Sequence, residues 1–299
     1  MPTLQRMLLG WVLLFAQGAW AAQGQILARP RTTVPGINYG YWEYLPQDYD
    51  DHSEASYPLV IFLGGLGQEG DGTASATGLE KLMGVTAPPR LIRDGRHFPF
   101  ILISPQRFNA WWGSGEIDAI IEFAKSRYRV DANRIYLTGL SAGANVAWTY
   151  AVNHPHKVAA IVPIAGNGNA LPICNMWNVP VWAFHGTADT TVSPYGSIEP
   201  VNKLNTVCNP AASPPAQLTL YPGVGHDSWS RTYSGSAGND IYTWMLSHSL
   251  CRFVRESGPR ATPAWTQTQF HAEAASVRDR GPPVAPPSPS ACRPRCPLT

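Results

Sequence analysis

Arg134-Ile-Tyr-Leu-Thr-Gly-Leu-Ser-Ala-Gly143 joins a β-branched and aromatic run to the pentapeptide Gly139-Leu140-Ser141-Ala142-Gly143. An Ala-rich segment with Trp148 and Tyr150 follows. The order reads as strand, sharp turn and helix, with a serine at the apex. A G-x-S-x-G pattern in that setting makes a nucleophile elbow. The turn leaves no room for side chains beside the serine, so glycines flank it. The helix that follows presents its N-terminus to developing negative charge.

Strand-like runs recur on both sides of this stretch, at 41–44, 59–63, 100–104, 134–138, 159–164, 181–184 and 218–221. Helical spacing lies between several of them. Ile117, Ile120, Ile121 and Ala124 share one face, Val146, Ala147 and Tyr150 begin another, and Ile241, Trp244, Met245 and Leu250 suggest a third. Strands alternating with helices predict an α/β fold with a mainly parallel sheet covered on both faces. The run near Tyr41 is expected as an antiparallel edge strand.

A serine needs a base to take its proton and a carboxylate to hold that base in one tautomer. In sheets of this kind the partners follow in the order Ser, acid, His, in loops at the C-terminal ends of strands. Val179-Pro-Val-Trp-Ala-Phe-His-Gly-Thr-Ala-Asp189 is a strand running into a loop, which makes Asp189 the candidate acid. Asp227 adjoins the proposed histidine, and Asp240 is placed to start the last helix. Leu218 to Tyr221 runs into Pro222-Gly-Val-Gly-His226, which makes His226 the candidate base. Of the other histidines, His52 and His97 precede the elbow. His154 and His156 fall on the wrong edge of the sheet, His248 in the last helix and His271 in the tail. His185 is expected to order the loop before Asp189.

The oxyanion of a tetrahedral intermediate needs backbone N–H donors. Ala142, next after the serine, supplies one. Leu63-Gly-Gly-Leu-Gly-Gln-Glu-Gly70, after an early strand, supplies the other from Leu66. A phosphate-cradling loop is the weaker alternative, since the Lys-Ser/Thr ending of a P-loop is missing. Trp111 and Trp112 follow the strand at 100–104, and Trp229 follows His226, so all three are candidate substrate-binding aromatics.

Leu63-Gly64-Gly65-Leu66-Gly67, Gly139-Leu140-Ser141-Ala142-Gly143, His185-Gly186-Thr187-Ala188-Asp189 and Gly225-His226, taken in order, resemble α/β-hydrolase esterases. They look closest to the secreted polyhydroxybutyrate-depolymerase-like and phospholipase/carboxylesterase-like branch, which includes predicted peptidases. The resemblance spans residues 38–250 and implies an α/β-hydrolase fold without a large lid domain. It implies Ser141 as nucleophile, Asp189 as acid, His226 as base and Leu66 with Ala142 as oxyanion donors, and no cofactor or metal. One departure stands out: such proteins carry His-Gly where this chain has Gly64-Gly65.

The rest of the chain bounds the setting. Charged residues make up 14% of its 299 residues and the formal net charge is +2, which gives no electrostatic basis for nucleic-acid binding. Arg6, the apolar run from Met7 to Phe15 and Ala19-Trp20-Ala21 read as a signal peptide over 1–21, followed by a lead-in over 22–37. About ten apolar residues are too few to span a bilayer, so a secreted or periplasmic protein is expected. There the five cysteines favour disulfides. Cys174 lies just before the strand at 181–184 and Cys208 just after the helix that returns from its far end, so both reach one sheet edge and are expected to pair. Cys251, Cys292 and Cys296 have no assigned partner. Residues 251–299 are rich in Pro, Ala, Arg and Ser and read as a disordered tail.

The expected activity is ester hydrolysis through an acyl-enzyme. The substrates are short-acyl, feruloyl-type or polyester esters, polymeric ones included. A serine peptidase is the alternative from the same site, and a non-catalytic carbohydrate-binding protein the alternative from a different class. Oligomeric state is not readable from the chain.

Overall fold

The run beginning at Arg134 extends in both directions into a strand spanning Val130–Leu140, and a helix spanning Ala142–Asn153 starts immediately beyond Ser141. The structure is a computed structural model and describes residues 23–32, 38–108, 112–169 and 172–250. The signal segment, Trp111 and the tail with Cys251, Cys292 and Cys296 lie outside the described residues.

Among those residues eight strands form one sheet: β1 Ile26–Arg29, β2 Gly40–Tyr44, β3 Tyr57–Leu63, β4 Ile101–Gln106, β5 Val130–Leu140, β6 Ala160–Ile164, β7 Trp182–Gly186 and β8 Gln217–Tyr221. Their order is β1-β2-β4-β3-β5-β6-β7-β8. The β1–β2 and β2–β4 pairs are antiparallel and the others parallel. Six helices accompany them: α1 Pro88–Arg93, α2 Ser114–Arg127, α3 Ala142–Asn153, α4 Tyr195–Thr206, α5 Trp229–Ser234 and α6 Ile241–Leu246.

β3 shows why the sheet is covered on both faces. Its run Leu-Val-Ile-Phe-Leu is buried throughout. Leu59, Ile61 and Leu63 join one core with Ile117 and Ile121 of α2 and Val146 and Tyr150 of α3. Val60 and Phe62 join the other with Tyr233 of α5 and Ile241 and Met245 of α6. Successive strand side chains point to opposite faces, so a strand between two helix layers must be apolar at every position. Each such side chain contributes roughly 1.5–3 kcal/mol on full burial.

Two expectations are corrected here. The strand near Tyr41 is antiparallel but not the edge, because Ile26–Arg29, inside the assigned lead-in, pairs outside it. Four residues of Ile-Leu-Ala-Arg are too short for a periodic signal. The third helical pattern also ends earlier than Leu250. α6 stops at Leu246, where Ser247 N–H bonds the Thr243 and Trp244 carbonyls. Met245 and Leu250 are five positions apart, off the three-to-four spacing of a helix face. His248 therefore follows the helix, and Leu250 N–H bonds the Asn133 carbonyl at the start of β5 at 2.8 Å.

Cys174 and Cys208 form a disulfide with Cα atoms 5.3 Å apart. Cys174 lies in the turn Ile173–Met176, before β7, and Cys208 lies just past α4. The bridge closes a loop with a sequence separation of 34. Replacing both cysteines by serine is expected to lower stability by about 4 kcal/mol, the chain entropy returned to the unfolded state by a loop of that length. Urea unfolding of the two proteins measures this. Superimposable curves would show that the crosslink contributes nothing.

Candidate active site

The site lies at the C-terminal edge of the parallel strands. Ser141 sits between β5 and α3 with φ 52° and ψ −117°, in the left-handed region that a non-glycine residue occupies at a cost of about 1–3 kcal/mol. Its N–H bonds the Ile164 carbonyl of β6 at 2.9 Å, which ties the elbow to the neighbouring strand.

β7 ends at Gly186, and Asp189 follows in a tight loop. Its Oδ1 accepts the N–H groups of Thr191 and Val192, each at 2.9 Å. Its Oδ2 accepts from His226 Nδ1 at 2.7 Å and from His185 Nε2 at 3.1 Å. Burial alone pushes this carboxyl up. The bond from His226 and the backbone bonds from Val192 and Thr191 outweigh that, and it lies below the usual aspartate range.

β8 ends at Tyr221, and the glycine-rich loop carries His226 back over β7. Gly223 N–H bonds Thr187 Oγ1 at 2.8 Å, and Ala188 N–H bonds the Val224 carbonyl at 2.9 Å. The two loops meet so closely that a Cβ on Gly186 would stand 2.2 Å from the Val224 carbonyl oxygen. His226 Nε2 lies 3.0 Å from Ser141 Oγ. Asp189 can only accept, so Nδ1 carries the ring proton, which leaves Nε2 with a lone pair facing the serine hydroxyl. Ser141, His226 and Asp189 thus form one continuous hydrogen-bonded chain.

The rival acids are engaged elsewhere. Asp227 accepts Ser230 N–H at 2.9 Å, and Asp240 caps α6 by accepting the N–H groups of Tyr242 and Thr243. His154 closes the far end of α3.

Leu66 opens the short turn Leu66–Gln68, and Ala142 opens α3. The N–H at a helix start has no intrahelical partner, so both are placed to donate outward. Both residues line one cleft, with Gly143, Arg107 and Trp112. Sequence reading missed what holds the loop that carries Leu66. Gln68 Oε1 accepts Gly65 N–H at 3.0 Å, which pins the Gly64-Gly65 turn from within. Gln106, buried at the end of β4, donates to the carbonyls of Gln68 and Gly78 and accepts Gly72 N–H. A Gln three residues after a helix-capping position was a legible signal for Gln68. Nothing in the sequence pointed to Gln106.

The tryptophans divide. Trp112 is half-buried, lies edge-on to Tyr39 at 5.3 Å and has the Arg107 guanidinium 5.3 Å from its ring centroid. Trp229 stands edge-on to the His226 ring at 5.1 Å and packs against the core beneath it. Among the described residues no cluster of three or more His, Cys, Asp or Glu is placed to hold a metal ion, and no helix is long and apolar enough to cross a membrane.

With the sheet order and the elbow in place, the chain has the α/β-hydrolase fold. Its residues 110–242 match the dienelactone hydrolase family. The "Probable feruloyl esterase C" of Aspergillus niger is 26% identical over 198 residues, covering 63% of this chain and 67% of that protein. Feruloyl esterase D of Neurospora crassa is 27% identical over 156 residues, covering 49% of this chain and 51% of that one. Among solved structures, a thermostable esterase superposes with a TM-score of 0.59 at 27% identity, covering 76% of this chain and 64% of the other. The chain therefore spans about half to two thirds of the length of these relatives.

Proposed function

We propose that the chain is an exported serine esterase acting through an acyl-enzyme, with Ser141 as nucleophile, His226 as base and Asp189 as orienting acid. The observation that carries this is the hydrogen-bonded chain from Ser141 Oγ through His226 to Asp189. In the first step His226 Nε2 takes the serine proton as Oγ attacks the ester carbonyl carbon. Negative charge gathers on the carbonyl oxygen, where the N–H groups of Leu66 and Ala142 receive it. The imidazolium then protonates the leaving alcohol. Water repeats the cycle on the acyl-serine and returns the enzyme.

Relatives named feruloyl esterases support esters over amides. Leu66, Phe108 and Tyr195 are exposed large apolar residues, and each follows a strand at the edge that carries Ser141. With Trp112 beside the cleft, they suit short-acyl, feruloyl-type or polyester substrates. The N-terminal pattern and the Cys174–Cys208 bridge fit a secreted or periplasmic protein.

A panel of nitrophenyl esters of graded acyl length, methyl ferulate and a peptide nitroanilide tests the reading. Turnover of the short esters and methyl ferulate is expected, with the anilide inert. Anilide cleavage without ester turnover would establish the peptidase instead. Polysaccharide binding with no hydrolysis of any substrate would leave a binding protein.

A further inference from the structure

A second histidine rests on the carboxylate of this site. His185, the penultimate residue of β7, is fully buried. Its Nε2 faces Asp189 Oδ2 at 3.1 Å and the Val192 carbonyl at 3.0 Å, both of which only accept. Its Nδ1 faces the Ser197 hydroxyl of α4 at 2.8 Å. These partners settle the tautomer. Nε2 carries the proton, shared between the two acceptors, and the Ser197 hydroxyl donates to Nδ1. Burial holds the ring below the usual histidine range, so it stays neutral. The titratable groups acting on it are Asp189 in its own loop and His226 from the loop after β8. Its partners Ser197 of α4 and the Val192 carbonyl are uncharged.

We propose that His185 is a positioning residue of the candidate site: its Nε2–H shares Asp189 Oδ2 with His226, fixing the carboxylate and limiting how strongly it draws a proton onto His226. This rests on the esterase reading above. Asp189 receives two N–H donors on each oxygen. Three of them come from its own loop or the strand before it, so the carboxylate is set before His226 arrives. A neutral donor on Oδ2 spreads the negative charge that would otherwise fall on the His226 bond alone. Without that donor Asp189 holds the imidazolium more strongly.

In His185→Phe the acid limb of kcat/KM against pH is therefore expected to move up by about half a unit or more. Activity at the plateau should fall about tenfold, the loss expected for one hydrogen bond to a charged group. The low-field proton resonance of the His226–Asp189 hydrogen bond, assigned by its absence in His226→Ala, should move further downfield. His185→Gln, whose amide nitrogen reaches the place of Nε2, should restore both the limb and the resonance. A merely structural role would not separate Gln from Phe in this way. Ser197→Ala frees Nδ1 to take the proton and should shift both readouts in the same direction by less. It serves if His185→Phe does not fold.

An acid limb and a low-field resonance that stay at their wild-type positions in the folded variants would overturn the assignment. The resonance needs no turnover, so it judges His185 independently. Undiminished ester hydrolysis by Ser141→Ala would instead sink the reading of the site.

Discussion

Ser141→Ala is expected to reduce ester hydrolysis by on the order of 10⁴-fold or more while leaving the fold intact. Removing Oγ deletes the atom proposed to form the acyl bond, and no other hydroxyl among the described residues stands at His226 Nε2. The backbone has no reason to move. Alanine carries the same Cβ into the same left-handed conformation, and Ser141 N–H still meets the Ile164 carbonyl. Thermal melting should shift by no more than a degree or two. Two measurements decide the matter: the rate on nitrophenyl acetate, and labelling by a fluorophosphonate probe, which should disappear. Labelling that persists at another residue, with activity retained, would mean that the nucleophile lies elsewhere.

Gly143→Ala should be strongly disruptive, since among the described glycines a Cβ at Gly143 makes the shortest contact. In an exposed helix the change stabilises by about 1 kcal/mol, since alanine is the better helix former. Here the sign reverses. A Cβ on Gly143 would stand 2.0 Å from the Leu63 carbonyl oxygen and 2.7 Å from the Gly64 carbonyl oxygen. Both are backbone, so no rotamer relieves the contact. Either α3 must lift away from the end of β3, or β3 must yield within a sheet buried on both faces. Overpacking of this kind costs typically 1–3 kcal/mol, and more where only backbone can give. The cost also reaches the chemistry. Ala142 moves with α3 and Leu66 with the end of β3, so the two proposed oxyanion donors separate. A displacement of about 1 Å can cost on the order of 10²-fold in rate. Denaturant unfolding and kcat on a short ester measure the two losses. A variant with the midpoint and kcat of the wild type would show that the elbow has slack that this contact denies.

The elbow was legible because its causes are local. The pattern Gly139-x-Ser141-x-Gly143 is read within one turn, and the run from Arg134 by strand propensity over a few residues, although the crowding that requires Gly143 comes from the end of β3. Asp189 and His226 were legible for a related reason. Each follows a strand-like run and each obeys a chain order, so neither required knowing which loop touches which. The Cys174–Cys208 pair followed from the handedness of a single strand–helix unit. β1 was not legible, since four residues carry no period. Gln106 was not legible either. A glutamine at a strand end looks like a surface residue until the loop at 68–78 is folded over it.

His185 marks the division. Chain order placed it near Asp189 and assigned it to the loop rather than to the chemistry. Its second acceptor, the hydroxyl that fills its other nitrogen and its sharing of Oδ2 with His226 depend on β7, α4 and the loop after β8 meeting at one point. Sheet type and the candidate nucleophile, acid and base are written into short patterns, because strand alternation, turn chemistry and helix ends act over a few residues. The sharing of one carboxylate oxygen by two histidines and the tautomer of each were decided by tertiary structure. They depend on distances of about 3 Å between atoms far apart in sequence, and only the packed sheet holds such distances.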